Sequence, residues 1–178
     1  EDSVANDQLI AMATLLPGHE HDYHARPPIS PLICIGRVAT YDRLEDGKFN
    51  LMLVGLQRAR IGYEIEPVRS FRRAHVDLID DSIAVDAEQM ARLGQQLAVQ
   101  ILSTIPSAQQ LVDEFEQGKI SLSTLADVAV FHLPLPIDFK LRMLGEADVY
   151  ARSQLLLSAL RPEDAGQHRS YPLDFSEN

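Results

Sequence analysis

The chain has 178 residues, 46% of them hydrophobic and 24% charged, with 26 acidic residues against 16 basic ones and a net charge of −10. That composition fits one large globular domain or two small ones, and excludes a disordered chain, a collagen-like repeat and a coiled-coil rod. The acidity argues against bulk electrostatic binding to nucleic acid or to an anionic lipid surface.

The acidity is uneven: residues 1–80 carry 12 acidic and 9 basic side chains, and residues 81–178 carry 14 and 7. Apolar runs such as Leu32–Ile35 are far shorter than the ~18–20 residues that span a bilayer, so no membrane partner is expected. The single cysteine, Cys34, forms no intramolecular disulfide and no cysteine-based metal cage. It reads as a core residue of a reduced, cytoplasmic protein. The first residue is Glu1 rather than methionine, which points to a processed or partial chain.

Taken in order, Val4–Leu16 reads as the end of a helix followed by a strand, with a turn at Asn6-Asp7. Pro17–Pro31 is rich in proline and histidine and reads as a long loop. Val38–Leu44 and Phe49–Val54 are strand-like, and Asp46-Gly47 between them is a hairpin signal, because glycine takes the positive φ of a tight turn. In the second run Phe49, Leu51 and Leu53 alternate with Asn50, Met52 and Val54. Gln57–Glu66 and Phe71–Ile79 read as two further strands. In the latter, Ala74, Val76 and Leu78 alternate with Arg73, His75 and Asp77. The pattern predicts an antiparallel meander with one dry and one wet face.

After Asp86 the period becomes helical. Met90, Leu93, Leu97, Ile101 and Ile105 form an amphipathic stripe that ends at Pro106. Ser107 is expected to cap a helix carrying Leu111, Val112 and Phe115, which stops at Gly118. Ser121 or Ser123 is expected to cap a third, with Leu125, Val128, Ala129 and Phe131. After Leu133-Pro134-Leu135-Pro136, a short helix over 137–144 stops at Gly145. A last helix over 146–160 is closed by Pro162. This gives a β-rich part over 1–82, a helical bundle over 83–162 and a loose polar tail over 163–178.

The order of local motifs resembles the N-terminal domain of the Lon protease family. Gly36-Arg37-Val38-Ala39, the stretch Asp46-Gly47-Lys48-Phe49-Asn50-Leu51-Met52-Leu53-Val54-Gly55 and then Arg58-Ala59-Arg60-Ile61 carry the strongest likeness. Phe71-Arg72-Arg73-Ala74-His75-Val76 extends it, and Ser123–Asp127 with Leu133–Pro136 matches the family's helical part more loosely. The resemblance covers about Asp2 to Leu160. It implies an α+β fold in which an antiparallel β pseudobarrel of PUA-like shape precedes a C-terminal helical bundle. The opening strands of the family pattern are absent from this chain and are expected upstream. A β part of ~80 residues without them has a thin core, of ~3–5 kcal/mol at most. The chain ends in a polar tail rather than in a helix leading to an ATPase, which favours a stand-alone bacterial protein over a fragment of a protease.

The resemblance implies a non-catalytic polypeptide-recognition module. The sequence contains no Gly-x-x-x-x-Gly-Lys-Ser/Thr phosphate loop, and Lys48, Lys119 and Lys140 lie in a hairpin, a turn and a short helix. No ATPase or peptidase activity and no cofactor is expected. The partner expected is unfolded or tagged polypeptide, held on an apolar surface. Candidate material is Ile29, Leu32 and Ile33 beside the loop, and Met52 and Val54 on the sheet; the plain alternative for each is core.

Other constellations are weaker. His19, His21 and His24, with Glu20 and Asp22, have the donor types of a zinc, nickel or copper site. A loop gives such spacing no fixed geometry, and a solvated polar loop accounts for them, so no metal is expected. Arg58, Arg60, Arg69, Arg72 and Arg73 can form a basic strip, and the alternative function is a PUA-like RNA-binding module. The plain reading is arginine stems covering the sheet with heads paired to Glu64, Glu66 and Asp77, which makes nucleic acid an unfavoured partner. A scaffold role through self-association is the remaining alternative.

Overall fold

A computed structural model describes residues 7–19, 26–66 and 71–161. By their internal contacts the residues fall into two compact units, Glu1–Asp80 and Asp81–Asn178. The Asn6 turn residue, Pro67, Arg69 and the tail from Pro162 lie outside the described residues.

In the first unit, β1 (Leu9–Leu15), β2 (Ile29–Arg43), β3 (Phe49–Glu64) and β4 (Ala74–Ile79) form a four-stranded antiparallel meander in the order β1-β2-β3-β4. Hairpin chemistry sets the β2–β3 turn. Gly47 sits at φ 83°, its N–H donates to Leu44 O at 3.0 Å, and Lys48 N–H donates to Asp46 Oδ1 at 3.0 Å.

Two expectations change here. The runs 49–54 and 57–66 are one strand, β3. The register shifts between Ile35 and Gly36, so Leu56 is an extra residue in β3 and the strand bends without ending. The loop read over Pro17–Pro31 is too long, because β2 begins at Ile29. Further shifts lie between Ala13 and Leu15, Val38 and Thr40, and Ile61 and Tyr63.

The sheet does not have one dry and one wet face. β1 pairs with β2 only up to Arg37, and β4 pairs with β3 only from Arg58 onward. Beyond those points β2 and β3 have only each other as sheet neighbours. This two-stranded ribbon exposes apolar side chains on both faces, and Leu78 on edge strand β4 is exposed as well. Buried apolar residues among those described in this unit are Pro27, Ile33, Val38 and Ala59.

In the second unit, α1 (Ala87–Thr104) starts with a capping box. Asp86 accepts from Gln89 N–H at 2.8 Å, and the Gln89 side chain accepts from Asp86 N–H. A 3₁₀ turn (Pro106–Ala108) leads directly into α2 (Gln109–Glu116). Ser107 lies inside that turn and caps nothing, because the preceding turn already meets the first helical N–H groups. Gly118 ends the segment at φ 69°.

Ser121 caps α3 (Leu122–His132) by accepting from Thr124 N–H at 3.1 Å. Next come α4 (Ile137–Gly145) and α5 (Val149–Ala159). α5 begins three residues later than the pattern suggests, because Asp148 is its cap and accepts from Tyr150 and Ala151 N–H. Leu97, Ile101, Val112, Leu125, Ala129, Met143 and Leu156 meet in one core, and the α1 stripe is part of it.

Candidate functional site

The β2–β3 ribbon carries several exposed apolar side chains. Register places Met52 opposite Thr40, and Val54 opposite Arg37. Met52 is 61% exposed and Val54 51%. Tyr41 and Leu51 face each other on the opposite side, both exposed, and Leu56 at the bulge is exposed too. Near the turn, Tyr41 and Phe49 stack in a tilted contact at 6.2 Å and the Arg43 guanidinium lies 5.8 Å from the Phe49 ring centre. Only Arg37, Arg43, Asp42 and Lys48 bring formal charge to the ribbon strands and their turn beside Glu45 and Asp46.

The five apolar residues singled out from sequence do not form one patch. Ile33 is 1% exposed, packed on the face it shares with Ala13 and Ala59, and is a core residue. This corrects its candidacy, since its side chain presents nothing to a partner. Ile29 and Leu32 are half-buried, opposite Leu15 and Arg60 respectively. Ile29 is eleven positions along β2 from Thr40, the partner of Met52, roughly 35 Å at ~3.3 Å per residue. Met52 and Val54 are the pair that stands together.

Of the arginine strip, Arg72 pairs with Glu64 at 3.2 Å and also donates to Pro27 O; Glu64 receives Arg26 as well, at 3.0 Å, and Arg60 stands opposite Asp77 in the ladder. Such partly exposed pairs are worth ~0–1 kcal/mol each. Cys34 is half-buried in β2 rather than fully in the core. His19 is described, whereas His21 and His24 lie outside the described residues; among the described residues no group of three His, Cys, Asp or Glu is arranged to hold a metal ion. No described helix is long and apolar enough to cross a membrane.

Sequence reasoning missed the polar centre of the helical unit. Arg152 is wholly buried on α5. Its Nη1 donates to Glu146 O at 2.8 Å, and its Nη2 donates to Ser123 Oγ at 2.6 Å and Asp81 Oδ1 at 3.1 Å. Its Nε lies 3.3 Å from Asp127 Oδ1, an ion-pair contact without hydrogen-bond geometry. Burial lowers the guanidinium pKa from its ordinary value, and Asp127, Glu146 and Asp148 oppose that shift. The available clue was the spacing Val149, Arg152, Leu156, Leu160, which puts an arginine on an apolar helix face. Beside it, Ser82 N–H donates to Ala147 O and Val149 N–H donates to Ser82 O, both at 2.9 Å. This cluster ties α3, α5 and the segment at Asp81–Ser82 together and is structural.

A groove of about 360 Å³ between α1 and α5 is lined by Gln89, Arg92, Gln96, Tyr150, Gln154 and Arg161 among others. Arg92 is paired with Glu88, and the lining holds no nucleophile beside a base.

The fold is α+β, and its sheet unit carries a group of exposed apolar side chains on β3. The sequence pattern of the family described as the ATP-dependent protease La (LON) substrate-binding domain matches residues 1–161, and the chain belongs to that family. Lon protease 2 of Myxococcus xanthus is 26% identical over 166 residues, covering 90% of this chain and 20% of that protein. The Lon protease of Anaeromyxobacter dehalogenans (strain 2CP-C) is 24% identical over 166 residues, with 90% and 19% covered. The chain thus spans about a fifth of the length of these relatives.

Among solved structures, the N-terminal domain of a Mycobacterium avium complex Lon protease aligns with a TM-score of 0.59 at 18% identity, covering 85% of this chain and 89% of that one. A Lon N-terminal domain protein from Xanthomonas campestris aligns with a TM-score of 0.52 at 17% identity, covering 84% and 88%. At these identities the likeness is one of fold.

Proposed function

We propose that this chain is a non-catalytic module that holds unfolded or tagged polypeptide on the β2–β3 ribbon. The observation that carries the reading is the ribbon itself, with Leu51, Met52, Val54 and Leu56 exposed in a chain of the substrate-binding family. An apolar, unbranched methionine beside small and aliphatic neighbours tolerates varied partners, which suits a client without a fixed sequence. Binding is by apolar contact, so its affinity changes little with salt. A phosphate-binding site would instead lose affinity with a slope of ~0.7–0.9 per contact in log salt. Nucleic acid is therefore not a partner in this reading, and neither ATP hydrolysis nor peptide cleavage belongs to it.

The finer architecture we infer is a PUA-like pseudobarrel, with domains over 1–82 and 83–162. Four register shifts in three strand pairs favour it, because bulges increase twist and curl a sheet. The location we infer is the cytoplasm, on the single cysteine. Self-association would use the same exposed surface and compete with polypeptide.

The test is fluorescence anisotropy of a labelled, reduced and alkylated unfolded protein titrated with the chain at low and moderate salt. Leu51→Ser with Met52→Ser and Val54→Ser is expected to weaken binding about tenfold or more without lowering the melting temperature. Unchanged binding by that variant, or steeply salt-dependent binding to single-stranded RNA abolished by Arg72→Ala with Arg73→Ala, would overturn the proposal.

A further inference from the structure

We propose that the groove between α1 and α5 holds the carboxy-terminal end of a polypeptide, with the terminal carboxylate against Arg161 and Arg92. The choice of polypeptide as the source of the carboxylate rests on the reading of the chain as a recognition module. The site is separate from the β2–β3 ribbon and lies wholly within the helical unit.

That unit is acidic, and the groove is a local exception. Residues 81–161 carry 10 acidic and 6 basic side chains. Arg152 is buried and compensated, and of the remaining cations Arg92 and Arg161 line this groove. Its described lining contains no aspartate or glutamate. Arg92 pairs with Glu88, but both side chains are more than 70% exposed. Such a pair is worth ~0.3–0.5 kcal/mol, so Arg92 is readily recruited by another anion. Arg161 is exposed, and among the described residues its guanidinium has no hydrogen-bond or ion-pair partner. The same holds for the Tyr150 hydroxyl and the side-chain amides of Gln96 and Gln154.

Helical spacing brings these groups together. Gln89, Arg92 and Gln96 recur along one face of α1, and Tyr150, Gln154 and Arg161 along α5 and its end. Gln100 Nε2 donates to Leu160 O at 2.8 Å, which holds the chain just before Arg161 against α1. Leu93 is buried and Leu157 half-buried between the polar residues. An adjoining cavity of about 450 Å³ shares Gln96, Leu157 and Arg161 and adds Gln95, Val99 and Gln100. From Gln89 to Gln100 the trough follows roughly 16 Å of helix, the length of about five extended residues.

Three kinds of group meet here, and together they match one end of a peptide. A guanidinium fork takes a carboxylate in two parallel bonds. Each glutamine amide offers a donor and an acceptor, as backbone C=O and N–H groups require. Leu93, Leu157 and Val99 give the last side chains an apolar floor. A phosphate offers chiefly acceptors and leaves the amide oxygens unmatched. An internal stretch of polypeptide has the backbone but lacks the terminal charge.

The probe is an N-terminally labelled hexapeptide of glycine and serine ending in leucine, prepared as the free acid and as the carboxamide. It is titrated with the full chain in anisotropy at low salt. Wild type is expected to bind the acid about tenfold or more tightly than the amide. Arg92→Gln with Arg161→Gln should remove that preference at an unchanged melting temperature. Lys119→Gln with Arg142→Gln changes the net charge equally outside the groove and should keep it. Should the arginine variant unfold, the comparison of acid with amide on wild type decides alone.

Equal binding of acid and amide by wild type, no binding of either, or a preference that survives in the folded arginine variant overturns the inference. So does displacement of the acid by inorganic phosphate as readily as by unlabelled peptide, which makes the groove a general anion site. Acid binding that emerges only with Glu163→Gln and Asp164→Asn makes the chain's own next residues the occupant. A wild-type dimer that the arginine variant dissociates makes it a second copy, and either result overturns the inference. Failure to bind unfolded protein while the acid–amide difference persists overturns the ribbon and leaves the groove standing.

Discussion

Removing the buried cation of the helical unit should cost less than removing the acids around it. Arg152 has no exposed side-chain surface, whereas Asp81 and Asp127 are 37% and 48% exposed. Arg152→Met keeps most of the stem volume and deletes the charge. The two carboxylates then rehydrate, and the lasting losses are the hydrogen bonds to Glu146 O and Ser123 Oγ, ~1 kcal/mol each, so ~1–2 kcal/mol in all. Asp81→Asn with Asp127→Asn leaves a guanidinium in the core with neutral partners. An uncompensated buried charge costs ~3–5 kcal/mol, and the charges of Glu146 and Asp148 hold this case near ~3 kcal/mol.

The triple variant should return to ~1–2 kcal/mol, because the acids have nothing left to compensate. Urea unfolding followed by far-ultraviolet circular dichroism reads all three, and ~3 kcal/mol corresponds to a fall of roughly 6–12 °C in melting temperature. Additivity in the triple variant, or a larger loss for Arg152→Met than for the double acid variant, would show that the site is held by shape rather than by charge compensation.

Other outcomes follow from local geometry. Gly94→Ala in α1 would place a Cβ 2.6 Å from Phe115 Cζ, and the overpacking, ~1–3 kcal/mol, should exceed alanine's ~1 kcal/mol helix advantage; stabilisation in a urea titration would mean that the ring yields freely. Asp86→Ala removes the capping box and should cost ~1 kcal/mol, read as a lower urea midpoint at unchanged slope. Excess zinc should leave the melting temperature of the chain unchanged, since ligand binding to the folded state would raise it; a rise lost in His21→Ala would establish a metal site. Residues 1–82 alone should give no cooperative melt at the temperature of the whole chain.

The elements legible in the sequence are those whose cause is local. Asp46-Gly47 makes its hairpin, and Ser121, one of the two serines offered for the role, caps α3, because each acts over two or three residues. What escaped is set by partners far along the chain. Leu56 is a bulge only because β2 fixes the pairing on both sides of it, and Gly55 beside it reads locally as a break. Ile33 looks like any apolar residue of its run until β1 and β3 close over it, whereas Met52 and Val54 stay exposed because β1 and β4 stop short of them. Arg152 meets Asp81 across 71 positions, and no local pattern names that partner.

The two units resolve the conflict between stability and recognition in opposite ways. In the helical unit the apolar stripes of five helices converge, and even a guanidinium is drawn into the interior and compensated there. Among the described residues of the sheet unit, Pro27, Ile33, Val38 and Ala59 are the buried apolar side chains, while Met52, Val54, Leu56 and Leu78 are exposed. Each such side chain, about half exposed, forgoes ~1 kcal/mol of burial that a closed core would supply. A module that must accept unfolded chains of varied sequence needs that unspent apolar area, because burying it internally removes the surface that binds. In the proposed reading, the small core of the sheet and its apolar ribbon have one cause. A substitution that buried the ribbon against the sheet's own side chains should raise stability and abolish binding together.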